Sequence, residues 1–278
     1  MENGNRSTGQ RVAIVTGSSK GIGKAIAVQF SRQSISVVVT SRDLSRAQKV
    51  VNEIRADGGD AIAVAFDIED PRQLDALIDQ TVSCYGGIDI LVNNAISQRC
   101  LIPSSGFLDQ DVIQILSCNI AHNYLLCKKA FPHLVSKAGC IINIGSVVAD
   151  HHLLGLPLYG LVKGAINQMT RVLASEWTRE KVRVNTINPG FVRTQAFHDL
   201  GIDSETIESA YQFYSKYQPL SGTGVPSDVA GAALFLAGES AATITGISLA
   251  VDGGFSASAL SLYGASDVEH SASKEGGF

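Results

Sequence analysis

The chain has 278 residues, 45% hydrophobic and 17% charged, with 27 Gly and 7 Pro, a balance that fits a compact globular protein with many tight turns and excludes extensive disorder. A formal net charge of -4, with Lys and Arg scattered along the chain, gives no basic field for a nucleic-acid partner. The N-terminal MENGNRSTGQ is polar, no apolar run approaches a bilayer span, and the five cysteines form no CxxC pair, so a soluble, cytoplasmic protein with reduced, core-packed thiols and no membrane partner is expected.

In chain order, apolar runs recur at Val12–Thr16, Ile35–Thr40, Ala61–Phe66, Ile88–Asn93, Cys140–Gly145, Val182–Asn188 and Ile247–Val251, with helical patterns such as Lys24–Arg32 between them. Continuous rather than alternating apolar character predicts strands buried on both faces, and helices between successive strands predict right-handed crossovers of a parallel sheet. The expected architecture is a single-domain, doubly wound α/β sandwich of about seven strands. No linker or internal repeat interrupts residues 11–255. Residues 1–10 are expected to be flexible, and residues 256–278, rich in Ser, Ala and Gly, to be mobile because they bury too little apolar surface to offset ordering entropy.

The first strand runs directly into Thr16-Gly17-Ser18-Ser19-Lys20-Gly21-Ile22-Gly23. A glycine-rich turn between strand and helix lets the backbone approach a pyrophosphate, and the free amides of the helix N-terminus attract its charge. An ordinary tight turn is the alternative. Farther on, Tyr159 and Lys163 lie four apart in a helix that continues through Glu176, so both project from one face. An ammonium beside a phenol is expected to lower the phenol pKa from about 10 and make it a proton donor and acceptor near neutrality; a packed Tyr with a solvated Lys is the bland alternative. Ser146 closes the fifth apolar run, followed by Val147 and Val148, and is the one hydroxyl placed there to bind a substrate oxygen at the C-terminal edge of the sheet.

The spacing TGxxxGxG, then Asn93-Asn94-Ala95, Asn119, Ser146, Tyr159 with Lys163, and Pro189-Gly190, in that order, resembles the classical short-chain dehydrogenase/reductase family over approximately Arg11 to Phe255. The resemblance implies a Rossmann-type fold and an enzyme that moves hydride between a nicotinamide dinucleotide and a carbonyl or secondary alcohol. Catalysis would fall to Asn119, Ser146, Tyr159 and Lys163, with Tyr159 as acid/base, Ser146 stabilising the oxyanion, Lys163 also binding the nicotinamide ribose, and Asn119 kinking its helix and holding a water for proton relay; a buried structural amide is the alternative for Asn119. The dinucleotide would lie against Gly17, Ser19, Lys20, Gly21, Ile22 and Gly23. Asp67, Ile68, Asn94 and Ala95 would flank it, and Pro189, Gly190, Val192 and Thr194 would complete the cofactor site. One departure stands out: Ile96 occupies a position where the family usually has Gly, which is expected to reshape the loop near the nicotinamide ribose.

At the end of the second strand, Ser41 stands where NAD-dependent relatives usually carry Asp, and Arg42 follows it. With Lys20 facing the same ribose, two cations would pair with a 2'-phosphate, so NADP(H) is the expected cofactor; the alternative is a solvated Arg42 with Asp43 reaching the ribose. The segment from Phe191 to Gln218, a substrate lid in the family, carries Phe197, Tyr211, Phe213, Tyr214 and Tyr217. Substrate contacts are expected from Ser146, Val148, His152, Tyr159, Phe197 and Phe213, and the aromatics suggest an apolar or ring-containing carbonyl or alcohol, unless they only pack the lid or an oligomer face. His151 and His152 lack partners at metal-ligand spacing, so no metal is expected. The resemblance implies a homodimer or homotetramer packed through the helix of Tyr159 and its neighbouring helix. A non-catalytic dinucleotide sensor would tend to lose Tyr or Lys, and an extended-branch epimerase would need a larger C-terminal domain.

Overall fold

The computed structural model describes residues 10–101, 107–151, 155–220 and 222–258. The strands are β1 (Val12–Val15), β2 (Ser36–Ser41), β3 (Ala61–Ala65), β4 (Ile90–Asn93), β5 (Cys140–Ile144), β6 (Arg183–Pro189) and β7 (Ser248–Val251). The α-helices are α1 (Gly21–Ser31), α2 (Leu44–Ala56), α3 (Gln73–Tyr85), α4 (Asp109–Leu116), α5 (His122–Val135), α6 (Pro157–Trp177), α7 (Ala196–Asp199), α8 (Ser204–Ser215), α9 (Pro226–Ala237) and α10 (Phe255–Ser258). All seven expected strands are present within one or two residues of their apolar runs, in a parallel sheet ordered β3-β2-β1-β4-β5-β6-β7.

Burial explains the continuous apolar strands. Ala13 and Val15 point into a core shared with Ile26 and Phe30 of α1, Val50 and Ile54 of α2, and Val229 and Leu236 of α9. Ile14, between them, points to the opposite core with Leu74 and Leu77 of α3, Leu126 and Leu134 of α5, and Leu173 of α6. Each strand residue is therefore covered whichever way it faces, and each large side chain so buried contributes roughly 1.5–3 kcal/mol. The expectation of two-sided burial fails at the edges: β3 and β7 each have one strand neighbour and are partly exposed.

Helix α1 begins at Gly21, three residues before the expected Lys24, because the last glycines of the turn already form its first turn. The strand order reverses direction between β1 and β4; the helices that follow them, α1 and α5, therefore cover opposite faces and leave between them the crevice where ligands bind in open α/β sheets. The residues expected to be mobile fall mostly on 1–9 and 259–278, outside the described residues. Order continues past residue 255 into α10, whose first turn is held by Asp252: its carboxylate accepts the Gly254 amide at 3.0 Å and the Ser256 amide at 2.8 Å.

Candidate active site

A cavity of about 520 Å³ opens over the C-terminal ends of β1, β4, β5 and β6. Its floor is the glycine turn. Gly17 and Gly21 adopt φ of +63° and +55°, in the left-handed region that favours glycine. A Cβ on Gly23 would lie 2.5 Å from Asn94 Nδ2 and 2.6 Å from the Gly17 carbonyl, so the turn is closed too tightly for a side chain. Asn94 locks it to β4: Nδ2 donates to the carbonyls of Thr16 and Gly17 at 2.8 and 3.1 Å, while Thr16 Oγ1 accepts the amides of Asn94 and Ala95, each at 2.9 Å. Helix α1 carries no side-chain cap and no acidic residue in its first turn. Its free amides therefore face a cavity that a pyrophosphate fits.

Of the expected cofactor residues, Gly17, Ser19, Lys20, Gly21, Ile22, Gly23, Ser41 and Arg42 line this cavity. So do Asp67, Ile68, Asn94, Ala95, Pro189, Gly190, Val192 and Thr194. At the β2 end, Asp43 lines the cavity as well, and its carboxylate caps α2: Oδ1 accepts the Ser45 amide at 2.9 Å, and Oδ2 lies 3.5 Å from Arg46 Nε. Ser41 Oγ accepts the Asp43 amide at 3.3 Å. Arg46, one turn into α2, also lines the cavity and escaped the sequence reading, although its spacing of three from Asp43 carried the signal. The Lys20 ammonium differs from expectation: it pairs with the Asp199 carboxylate of α7. Its pKa is lowered by partial burial and by the nearby Arg46 and Arg42, so three cations share this end of the cavity.

Ser146 follows β5, and Tyr159 and Lys163 rise from the first turns of α6, where Pro157 stands at the helix start. All three line the cavity. The expected lowering of the Tyr159 pKa by Lys163 is not found. Burial pushes the phenol up to about 12, against a lowering hydrogen bond from Ser146. Burial likewise brings Lys163 down to about 8. The reason is geometric: Lys163 Nζ donates to the Ile144 carbonyl at 2.7 Å and lies 5.6 Å from the centre of the Tyr159 ring, so desolvation, which penalises phenolate and ammonium alike, prevails over their mutual attraction.

Asn119 sits, fully buried, in a π-helical turn over Ser117–Ala121 that separates α4 from α5, matching the expected helix distortion. Its Oδ1 accepts the Ser97 amide at 2.8 Å and its Nδ2 donates to the Ile115 carbonyl at 2.9 Å. The direct partners of Asn119 are thus structural, anchoring the loop after β4 to the distorted helix.

At the substrate end, Val148 and Phe197 line the cavity as expected. Phe213 does not. It is 53% exposed and packs edge-on against Tyr214 and Tyr217, because the inward face of α8 is set by Ile207 and Tyr211, four residues apart and both buried, which turns residue 213 outward. Tyr211 does line the cavity, and its hydroxyl accepts the Thr194 amide at 3.2 Å. Leu101, Leu156 and Phe191 complete an apolar wall that the sequence reading did not single out. Ile96 lines the cavity too and packs against the buried cluster of Cys100, Ile115 and Leu158, as Leu101 and Tyr159 do. His152 lies outside the described residues; His151 meets Phe255 edge-on at 5.8 Å. Among the described residues no group of three or more His, Cys, Asp or Glu is placed to hold a metal, and no helix is long and apolar enough to cross a membrane.

The family model described as enoyl-(acyl carrier protein) reductase matches residues 17–256. L-fucose dehydrogenase of Oryctolagus cuniculus is 36% identical over 255 residues, covering 91% of this chain and 87% of that protein. Glucose 1-dehydrogenase 2 of Bacillus subtilis is 34% identical, covering 88% of this chain and 94% of that protein. Among solved structures, 7 alpha-hydroxysteroid dehydrogenase complexed with NADH and 7-oxo glycochenodeoxycholic acid superposes with a TM-score of 0.80 at 33% identity, covering 88% of this chain and 93% of that one.

Proposed function

The chain belongs to the short-chain dehydrogenase/reductase family, and from that premise we propose that this oxidoreductase is NADP(H)-dependent and interconverts a carbonyl and a secondary alcohol with Tyr159 as general acid/base. The observation that carries the reading is one wall of one cavity: Ser146, Tyr159 and Lys163 line it together, and that cavity runs on to the uncapped N-terminus of α1. When bound, the nicotinamide dinucleotide supplies or accepts the hydride. The chain's own residues handle the proton. In reduction, the neutral Tyr159 phenol donates its proton to the substrate oxygen, while the Ser146 hydroxyl donates a hydrogen bond to the same oxygen and stabilises its developing charge. Lys163 and the loop around Asn94 would hold the nicotinamide ribose. The glycine turn would hold the pyrophosphate, and Arg42, Arg46 and Lys20 the 2'-phosphate.

The substrate is an apolar, ring-bearing ketone or alcohol. Support comes from Val148, Leu101, Leu156, Phe191, Phe197 and Tyr211 around the Tyr159 end, with the cationic Lys20, Arg42 and Arg46 at the other. Residues 11–255 form the catalytic domain of a cytoplasmic homodimer or homotetramer; Leu161 and Val172 on α6 and Tyr124 on α5, exposed at 60%, 43% and 43%, suit burial by a second copy. Tyr159→Phe keeps the ring and deletes the proton donor. Turnover of a ketone panel with NADPH should fall at least about 100-fold with cofactor affinity nearly unchanged. Near-normal turnover in that variant would refute the mechanism.

A further inference from the structure

Behind Ser146, away from the cavity, lies a polar set that the proposed mechanism does not use. Asn188 on β6, 3% exposed, accepts the Ser146 amide on its Oδ1 at 3.1 Å and donates through Nδ2 to Asp150 Oδ2 at 3.4 Å. Asn167 on α6, 1% exposed, donates through its own Nδ2 to the same Asp150 oxygen, also at 3.4 Å. None of the three lines the cavity. Room for the arrangement comes from Gly145: a Cβ there would stand 2.0 Å from Asn188 Oδ1 and 2.6 Å from Thr186 Cγ2.

The residue types fit the task. A primary amide offers an acceptor and a donor at once, and the Ser146 N–H on one side requires the amide oxygen, which turns the NH2 toward the Asp150 carboxylate on the other. An aspartate at 188 would set two carboxylates together; a leucine would leave a buried N–H unpaired. Tyr159, Lys163 and Asn167 follow at four-residue spacing on α6, so Asn167 shares the helical face of the two proposed catalytic groups. Asp150 closes the 3-10 turn over Val147–Ala149 that begins at Ser146. The Ser146 segment is thereby fastened to the sheet through Asn188 and to the Tyr159 helix through Asn167.

We propose that Asn188, braced by Asp150 and Asn167, is a positioning residue that fixes Ser146 in reacting geometry against Tyr159. This rests on the catalytic reading of Ser146 given above. A group displaced by an ångström can lose roughly 100-fold in rate, so Asn188→Ala should lower kcat about 10- to 100-fold while the Kd for NADPH stays within about twofold.

The decisive experiment is a double-mutant cycle of Asn188→Ala with Ser146→Ala, reading kcat, KM and thermal melting for ketone reduction. If Asn188 acts through Ser146, its removal in the Ser146→Ala background changes kcat by no more than about twofold. An unchanged, multiplicative loss there would overturn the proposal and leave Asn188 a merely structural residue. Should Asn188→Ala fail to fold, the same cycle run with Asp150→Ala, at an exposed position, decides the matter by the same criterion. Wild-type turnover in Ser146→Ala alone would instead strike down the catalytic reading, and the positioning role with it; a loss in Ser146→Ala with none in Asn188→Ala strikes down the positioning role only.

Discussion

Cofactor choice rests on charges whose worth follows from their setting. Arg42 is exposed at the end of β2 and the Arg46 side chain is 62% exposed on the first turn of α2. At about 4 Å a unit charge pair is worth about 4 kcal/mol near a protein surface and about 1 kcal/mol in water. Exposure and salt pull each arginine toward the lower figure, so about 1–2 kcal/mol apiece is reasonable, or roughly 5- to 30-fold in affinity. Lys20 adds less, because the Asp199 carboxylate already neutralises it. Arg42→Ala with Arg46→Ala should therefore weaken NADPH binding roughly 30- to 1,000-fold and leave NADH binding nearly unchanged. Ser41→Asp with Arg42→Ala adds repulsion to the loss of a cation, and should improve NADH use as well. Titrating both cofactors by calorimetry at two salt concentrations checks this, since the NADPH loss must shrink as salt rises. Equal Kd values for NADH and NADPH in the wild type, or the same loss for both cofactors in the arginine variant, would refute the reasoning.

Burial lowers Lys163 from 10.5 to about 8, so between those values the unfolded chain binds more protons than the folded one and stability rises with pH, by on the order of 3 kcal/mol across the window. Chemical denaturation of the cofactor-free protein should show Lys163→Met more stable than wild type below pH 8, with the gap closing by pH 10.5; a pH-independent gap would contradict the buried-ammonium assignment. Tyr159 acts with the opposite sign: its rise to about 12 removes stability as pH climbs from 10, a decline that Tyr159→Phe should lack. Alanine at Phe197 or Tyr211 should raise KM for bulky ring ketones several-fold more than for small ones, while alanine at the outward Phe213 should affect all substrates alike; a selective effect at Phe213 would reverse the assignment of faces on α8.

The division between what the sequence revealed and what it hid follows from locality. Strands such as Val37–Val39 were legible because apolar side chains on both faces need two covering layers, and only a doubly wound sheet provides them. The glycine turn was legible because steric exclusion at Gly17 and Gly23 acts within the turn and against the adjoining strand end. Direction on a helix was harder: five aromatics between 197 and 217 read as one cluster, yet a two-residue step from Tyr211 to Phe213 reverses the side of α8 they occupy. Long-range partners were hidden altogether. Nothing local to Lys20 announces Asp199, 179 positions away, and nothing local to Ser146 announces Asn188.

Tyr159 shows how packing bears on both the geometry and the acidity of the proposed site. Ile96, standing where the family usually has glycine, packs, as Leu101 and Tyr159 do, against the buried cluster of Cys100, Ile115 and Leu158. Packing against that cluster holds the Tyr159 ring, and burial pushes its phenol up to about 12. A neutral phenol is the form that reduction needs, since the proton leaves Tyr159 only as the substrate oxygen gains charge. Alcohol oxidation needs the reverse, a phenoxide formed before or during hydride loss, and burial opposes that unless a cation stands near. Lys163, brought down to about 8, carries its full charge only on the acid side of that value. Under the proposed mechanism Tyr159 enters reduction with its proton in place, and Lys163, charged below about 8, is the cation on which oxidation would draw at neutral pH.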